Sequence, residues 1–182
     1  GDTLGESKIA FLSPEEFPAT PKIKSDAIPL SSSLRETIHE AMECASTDST
    51  RYVLNGTFID ASNPTANYIV ATDGKHLYSA NSFALPLKKS VIIPSHKFLG
   101  WKEFNADGEW QMKVGNEHVQ LSTRRWRFIS KTIDGAFPNW QHSIPSPHDA
   151  KTTITIDPAK LETLIKLVQR MPCHDDVRFH PI

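Results

Sequence analysis

The stretch Ile69-Val70-Ala71-Thr72-Asp73-Gly74-Lys75-His76-Leu77-Tyr78 decides how the rest of this chain is interpreted. Ile69 and Val70 favour extended backbone, and the extended run resumes at Leu77 after a polar interruption. Glycine accepts a positive φ without penalty and aspartate tolerates one, so Asp73-Gly74 is typical of the turn in a hairpin. The stretch therefore predicts a strand, a tight turn and a second strand.

The composition is that of a globular chain. It has 182 residues, of which 38% are hydrophobic and 23% charged, and its formal net charge is −1. Because there is no overall basic excess, DNA binding would need a local basic face or other parts of an assembly. Cys44 and Cys173 suit two ordinary thiols of a reduced, cytoplasmic protein, and one long-range disulfide stays open as an alternative. No apolar run reaches the length that crosses a bilayer.

Two helices are predicted in the first two thirds of the chain. Apolar residues recur at helical spacing from about Ser32 to Ala45, which predicts a helix with one apolar face. Ser31-Ser32-Ser33 offers its N-cap, and Glu36 is the expected capping-box partner. The other face is mixed and mildly acidic, which is typical of a solvated surface. A second, short helix is expected, with Ser95 as its cap and three large apolar residues: Phe98, Leu99 and Trp101.

Strands are predicted wherever β-branched and aromatic residues alternate or cluster between turn residues. The predicted strands cover residues 51–60, 67–70, 77–84, 90–94, 110–114, 118–121 and 124–131. The order strand, helix, three strands therefore appears twice, first over about 26–80 and then over about 87–133. This repeat predicts an α+β fold of duplicated β-α-β-β-β units, with antiparallel sheets and two helices.

The flanking segments differ from this repeat. The first 25 residues contain prolines that interrupt a helix, and we expect a linker in which Phe17 anchors on a neighbouring surface. After about residue 146 the pattern begins again, with a strand at 152–156, a helix opened by Asp157-Pro158 and a strand at 177–179. A unit of one and a half strands does not close its own sheet. We therefore expect a piece of a longer protein, divided into 1–25, 26–145 and 146–182.

Four motifs, in this order, resemble the beta subunit of bacterial DNA polymerase III, the sliding clamp family. They are Arg51-Tyr52-Val53-Leu54-Asn55-Gly56, Val70-Ala71-Thr72-Asp73-Gly74, Ser90-Val91-Ile92-Ile93-Pro94 and the Ser-Lys…Asp-Gly…Phe-Pro core between Phe128 and Pro138. The resemblance covers roughly 26–145, the central domain of that family, and 151–179 resembles the opening of its third domain. It implies that the duplicated units form the DNA-clamp fold.

The resemblance also implies a function without catalysis, cofactor, metal or membrane. Full-length members are homodimeric rings that encircle double-stranded DNA and hold a polymerase on it, and partner proteins dock short peptide tails between the second and third domains. Carried over by position, the peptide-binding residues are Leu54, Thr72, Gly74, Lys75, His76, Leu77, Pro138 and His142. The DNA-facing positions implied in the same way are Arg35, Arg51, Lys97 and Lys102.

Three departures from the family pattern matter. Lys75-His76 stands where the family usually has His-Arg, which we expect to retune peptide preference. The helix predicted at 32–45 lacks the basic face expected beside DNA. Most of the third domain and nearly all of the first lie outside this sequence, and those domains make the ring contacts of the family. We therefore do not expect this chain by itself to close a ring.

Other interpretations stay open. A standalone clamp-fold module that binds peptides or other proteins, without a ring or a DNA role, fits the same motifs. The basic run from Arg124 to Lys131 with Trp126 is typical of a strand that binds nucleic acid, and a nucleic-acid enzyme would use it. The pattern favours the other interpretation, the solvent-exposed face of an amphipathic strand. Residues 173–176 suggest a polar loop more than a metal site. Phosphate-loop, nucleophile-elbow and paired zinc-ligand motifs are missing from the sequence.

Overall fold

The structure, a computed structural model, describes residues 13–170 and divides the chain into two compact units that meet between Trp140 and Gln141. The first unit contains β1 (Ile28–Leu30), α1 (Ser32–Cys44), β2 (Gly56–Asp60), β3 (Asn67–Thr72), β4 (Leu77–Phe83), β5 (Val91–Pro94), α2 (Lys102–Asn105), β6 (Trp110–Val114), β7 (His118–Ser122) and β8 (Arg127–Lys131). The second unit contains α3 (Pro158–Gln169). Short 3-10 turns lie at Pro14–Glu16, Ser49–Leu54, Lys97–Gly100, Trp140–Ser143 and Pro147–Asp149. The order β-α-β-β-β occurs twice, which confirms the predicted repeat.

The two repeats exchange their first strands. All pairs are antiparallel, and they form two four-stranded sheets with the orders β1-β6-β7-β8 and β4-β3-β2-β5. The first strand of the first repeat, β1, thus belongs to the sheet of the second repeat, and β5 belongs to the sheet of the first. A backbone hydrogen bond of 3.0 Å from the N–H of Ile133 to the carbonyl of Ile92 also links the chain after β8 to β5. The exchange makes the two repeats one folding unit.

The core lies between α1 and the sheets. Leu34, Ile38 and Ala41 form the buried face of α1, which packs against β2, β3 and β4. Trp110 and Met112 of the other sheet belong to the same apolar cluster. Full burial of a large apolar side chain contributes about 1.5–3 kcal/mol, so this shared cluster holds both repeats together.

The opposite face of the β2–β3 pair is covered by the end of the first unit. Phe58 and Val70 are paired on that face, and the ring of Phe137 stacks on Phe58 with a centroid distance of 4.7 Å. The buried indole of Trp140 donates its Nε1 hydrogen to Asp60 Oδ2 at 3.4 Å. Since β3 is covered on both faces, its central residues read as a continuous apolar run.

One predicted strand was wrong in its first half. The strand expected from Arg51 begins only at β2, because Ser49–Leu54 is a 3-10 turn. Asp48 caps this turn, since its Oδ1 accepts from the backbone N–H of Thr50 at 2.9 Å. A short polar side chain that bonds nearby backbone groups competes with strand formation, and here that local bond prevailed.

The N-cap predicted within Ser31-Ser32-Ser33 is confirmed, whereas the capping-box partner and the second helix cap were wrong. Ser31 is the N-cap of α1, with its Oγ accepting from the N–H of Leu34 at 3.1 Å, so Glu36 is not at the capping-box position. Ser95 caps no helix, because its Oγ donates to the carbonyl of Met42 at 3.3 Å. The single short helix expected after Ser95 is divided into a 3-10 turn and α2.

Two predictions near the surface were wrong. The strand expected from Arg124 begins only at Arg127, because the N–H of Thr123 donates to the carbonyl of Trp126 at 2.9 Å and closes a turn. Phe17 is largely exposed in the structure and does not anchor on a neighbouring surface of the described residues.

The second unit begins at Gln141 and contains α3. Asp157 caps α3, with its Oδ1 accepting from the N–H of Ala159 at 3.0 Å, which confirms the helix expected at Asp157-Pro158. The strand expected at 152–156 was wrong, because these residues are exposed and lack strand pairing in the described part of the chain. The predictions for 173–176 and 177–179 lie outside the described residues.

Candidate functional site

The hairpin that the sequence indicated is formed by β3 and β4. Thr72 and Leu77 are cross-strand partners, and a four-residue connection, 73–76, joins them. Gly74 has φ +90°, a value that a residue with a side chain rarely adopts. The glycine of the motif is therefore required by the path of the connection.

The carboxylate of Asp73 organises this connection. It accepts hydrogen bonds from the N–H of Lys75 at 2.8 Å and the N–H of His76 at 2.7 Å. The imidazole Nδ1 of His76 lies 3.0 Å from Asp73 Oδ2. The bonds to the backbone and ring of His76, followed by the bond from Lys75, hold the pKa of the Asp73 carboxyl well below its usual range. Asp73 thus stays ionised and fixes the loop at neutral pH.

The hydroxyl of Thr72 closes the base of the loop. Its Oγ1 accepts from the N–H of Gly74 at 3.0 Å and donates to the carbonyl of His76. The side chains of Lys75 and His76 are left exposed. The loop is therefore internally fixed and presents one cation and one imidazole to solvent.

Two further stretches adjoin this hairpin. A Cβ atom built on Gly74 would lie 2.7 Å from Nη1 of Arg51, so the guanidinium packs directly on the glycine. A Cβ on Gly135 would lie 2.7 Å from Cγ1 of Val53. The 3-10 turn that ends at Leu54 therefore contacts the hairpin on one side and the segment before Pro138 on the other.

The structure brings most of the predicted peptide residues to these three stretches. Leu54 is buried, Leu77 is half-buried and Pro138 is exposed, so Leu77 and Pro138 offer the accessible apolar surface. Thr72 and Gly74 shape the hairpin, as described above. His142 is exposed and belongs to the second unit. It is accordingly described apart from the hairpin.

The four predicted DNA-facing residues have different surroundings. Arg35 is half-buried on α1, with its guanidinium carbon 5.3 Å from the centroid of the Trp110 ring, a cation–π distance. Lys97 and Lys102 are exposed, the first on a 3-10 turn and the second at the start of α2. Arg51 belongs to the 3-10 turn and packs against Gly74, one of the predicted peptide residues. The DNA-facing role of these residues stays a prediction.

Sequence reasoning missed two residues of the site. The sequence predicts Asp73 only as a turn former, although an aspartate followed by free backbone N–H groups is the usual pattern of a side-chain-capped turn. Arg51 was assigned to DNA, and no local pattern pointed to its contact with Gly74. The contact joins two elements that only the tertiary fold brings together.

Residues 13–170 hold neither a metal-binding cluster nor a membrane-spanning helix. No three of their histidine, cysteine, aspartate and glutamate side chains are grouped so that they would hold a metal ion. No helix in that part of the chain combines the length and the apolar character needed to span a membrane.

Comparison with known proteins gives a consistent result. The profile of a family described as DNA polymerase III beta subunit, central domain, matches residues 29–139. A beta sliding clamp from Treponema pallidum (strain Nichols) is 33% identical over an alignment of 155 positions, which covers 79% of this chain and 41% of that protein. This chain thus spans about two fifths of the length of that relative.

Solved structures show the same similarity. The beta sliding clamp of C. crescentus, with PEG bound to a putative beta-motif tethering region, superimposes with a TM-score of 0.64 and 28% identity. The match covers 74% of this chain and 39% of that one. The sliding clamp of Bartonella birtlesii bound to griselimycin gives a TM-score of 0.63 and 27% identity over 75% of this chain and 39% of that one.

Proposed function

Because this chain belongs to the DNA polymerase III beta subunit family, whose central domain matches its residues 29–139, we propose that it is the middle part of a sliding clamp. Such a protein is a non-catalytic, cytoplasmic processivity factor of DNA replication. As a full-length homodimeric ring it encircles double-stranded DNA and tethers the polymerase to it. The match to the central domain, rather than to an isolated motif, is the main support for this proposal.

The same proposal gives the hairpin a role as a docking site for peptide tails of the polymerase and of other replication or repair proteins. The observation that carries it is the fixed connection between Thr72 and Leu77, held by the Asp73 carboxylate and the Thr72 hydroxyl. A surface that is already ordered loses little conformational entropy when a peptide binds. Leu77 and Pro138 then offer apolar contacts for large side chains of the peptide.

The exposed Lys75 gives this surface a positive charge, beside the exposed imidazole of His76. Both side chains are exposed, and the His76 ring contacts Asp73 Oδ2 of the same loop at 3.0 Å. Rim charges chiefly change the association rate and the preference among partners. We propose that this pair favours peptide tails with an acidic residue beside the apolar anchor.

The test is the affinity of the chain for a fluorescent peptide tail that contains a glutamine and large apolar residues. We expect Leu77→Ala to weaken binding at least about fivefold, since an anchor residue contributes more than about 1 kcal/mol to a peptide interface. Fluorescence anisotropy with an unlabelled competitor peptide measures the change.

Leu87→Ala is the matched control. Leu87 is half-buried like Leu77. It packs against the core and lies in the connection between β4 and β5, away from the loop at 73–76. We expect it to keep the peptide affinity of the unmodified chain. Equal affinity in the Leu77→Ala and unmodified chains would remove the hairpin from the peptide site.

A further inference from the structure

Two tryptophans lie side by side on the surface. Trp101 is 52% exposed and Trp126 is 40% exposed, with ring centroids 5.9 Å apart and an interplanar angle of 56°. The other two tryptophans of the chain, Trp110 and Trp140, are buried. Tryptophan is enriched in binding interfaces, so an exposed pair of tryptophans in ring contact is a candidate binding surface.

The turn that carries Trp126 is held rigidly. Asp107 Oδ2 accepts from the Thr123 hydroxyl at 2.6 Å and from the N–H of Arg125 at 2.8 Å. Asp107 Oδ1 accepts from Arg125 Nε at 2.6 Å. The N–H of Trp126 donates to Thr123 Oγ1 at 3.1 Å. Trp126 is therefore positioned before any partner arrives.

Cationic residues flank both tryptophans in the sequence. Arg124 and Arg127 are exposed on either side of the Arg125-Trp126 pair, and exposed Lys102 follows Trp101 directly. Segments 97–109 and 124–127 contain five lysines and arginines against three carboxylates: Lys97, Lys102, Arg124, Arg125 and Arg127 against Glu103, Asp107 and Glu109. This local excess contrasts with the net charge of −1 of the whole chain. The ion pair with Asp107 occupies Arg125, so the charges available to a ligand are those of its neighbours.

We propose that the surface formed by Trp101, Trp126 and the flanking cations binds single-stranded nucleic acid. Bases stack on the indole rings, and phosphates lie near Arg124, Arg127 and Lys102. Aromatic platforms beside positive charge are the general means of holding unpaired bases without sequence preference. A duplex keeps its base faces covered by stacking, so it cannot use the indoles in this way.

This contact goes beyond the proposed function, in which the ring holds duplex DNA by topology. Lys102 is also one of the predicted DNA-facing positions, whereas Trp101, Trp126, Arg124 and Arg127 are not. The contact is also separate from the peptide site, since none of its residues belongs to the hairpin or to the two stretches that adjoin it. The two proposals therefore fail independently.

The test is a titration of the 182-residue chain with an oligothymidylate of about twelve nucleotides and with the same oligonucleotide annealed to its complement. We expect the single strand to quench tryptophan fluorescence and to bind more tightly than the duplex. Trp126→Ala is expected to weaken single-strand binding about 5- to 150-fold, the loss of one stacked base. Trp126→Phe keeps an aromatic ring and is expected to retain most of the affinity.

Two variants serve as controls. Tyr52→Ala removes another exposed aromatic ring, beside the hairpin, and Leu77→Ala impairs the proposed peptide site. Both are expected to bind the oligonucleotide as the unmodified chain does. Unchanged affinity in Trp126→Ala, equal binding of the duplex, or equally tight binding and quenching by an acidic peptide of the same charge would each overturn the proposal.

Discussion

At the scale of single residues, the hairpin depends on two side chains and one glycine. Asp73 supplies a carboxylate that satisfies two backbone N–H groups, and Thr72 bridges the two ends of the connection. Gly74 supplies the positive φ and the room in which the Arg51 guanidinium lies. The hydrogen bonds of Asp73 and Thr72 are local, whereas the contact of Gly74 with Arg51 joins the loop to the 3-10 turn at Ser49–Leu54.

The first prediction separates the two requirements at Gly74. Gly74→Ala places a side chain on a left-handed backbone and against Nη1 of Arg51. Gly108, with φ +87°, is the matched control, because a Cβ added there meets nothing within 4 Å. Both variants are expected to lose about 1–2 kcal/mol of unfolding free energy. Gly74→Ala alone is expected to lower peptide affinity, because only it displaces Arg51. Urea unfolding and peptide anisotropy measure the two effects, and equal peptide affinity in both variants would show that Arg51 has no part in the site.

At the scale of elements, the turn between β7 and β8 shows how a distant residue defines an element. The sequence from Arg124 onward has strand character, yet Asp107, which precedes β6, accepts three hydrogen bonds from this turn. The strand therefore begins only at Arg127. The bond to the Thr123 hydroxyl, followed by those to the N–H and guanidinium of Arg125, lowers the pKa of Asp107 to about 2.

The second prediction follows from that pKa. An aspartate in the unfolded chain has a pKa of about 3.9, so unfolding at acid pH is accompanied by proton uptake at Asp107. Its stabilisation is complete above about pH 4 and is lost as the pH falls through about 2. Asp107→Asn is expected to be less stable than the unmodified chain at pH 7, and the difference is expected to shrink between about pH 4 and pH 2. Urea unfolding at several pH values measures it, and a difference that does not depend on pH would contradict the assignment.

At the scale of the whole molecule, the exchange of first strands makes the two repeats interdependent. Neither repeat has a complete sheet of its own, since β1 pairs with β6 and β5 pairs with β2. The Gly56 position shows how close this pairing is, because a Cβ there would lie 2.3 Å from the carbonyl oxygen of Ile93. The hairpin site and the tryptophan surface are thus held by opposite sheets of one unit.

The third prediction concerns the size of the natural protein. The aligned part of this chain spans 41% of the Treponema pallidum relative, so a clamp subunit should have about twice the mass of this chain. An antibody raised against the chain and used on an extract of the source cell gives that mass directly. A band at the mass of the chain itself would favour the standalone peptide-binding module over a ring subunit.

The sequence by itself determined the elements whose signals are local. The Asp73-Gly74 hairpin, the apolar face of α1, the helix at Asp157-Pro158 and the twofold repeat all follow from periodicity, caps and turn residues within a few positions. The four motifs also identified the family, and the match of the family profile to residues 29–139 confirmed it.

Only the tertiary structure decided the features that join residues far apart in the chain. The strand exchange, Arg51 on Gly74, Asp107 on the β7–β8 turn and the pairing of Trp101 with Trp126 all depend on which elements the core brings together. The strand predicted at 51–54 was wrong for a local reason, because one side-chain hydrogen bond outweighed strand propensity. Propensity and periodicity describe a residue and its near neighbours, whereas these contacts are settled by burial of the shared core.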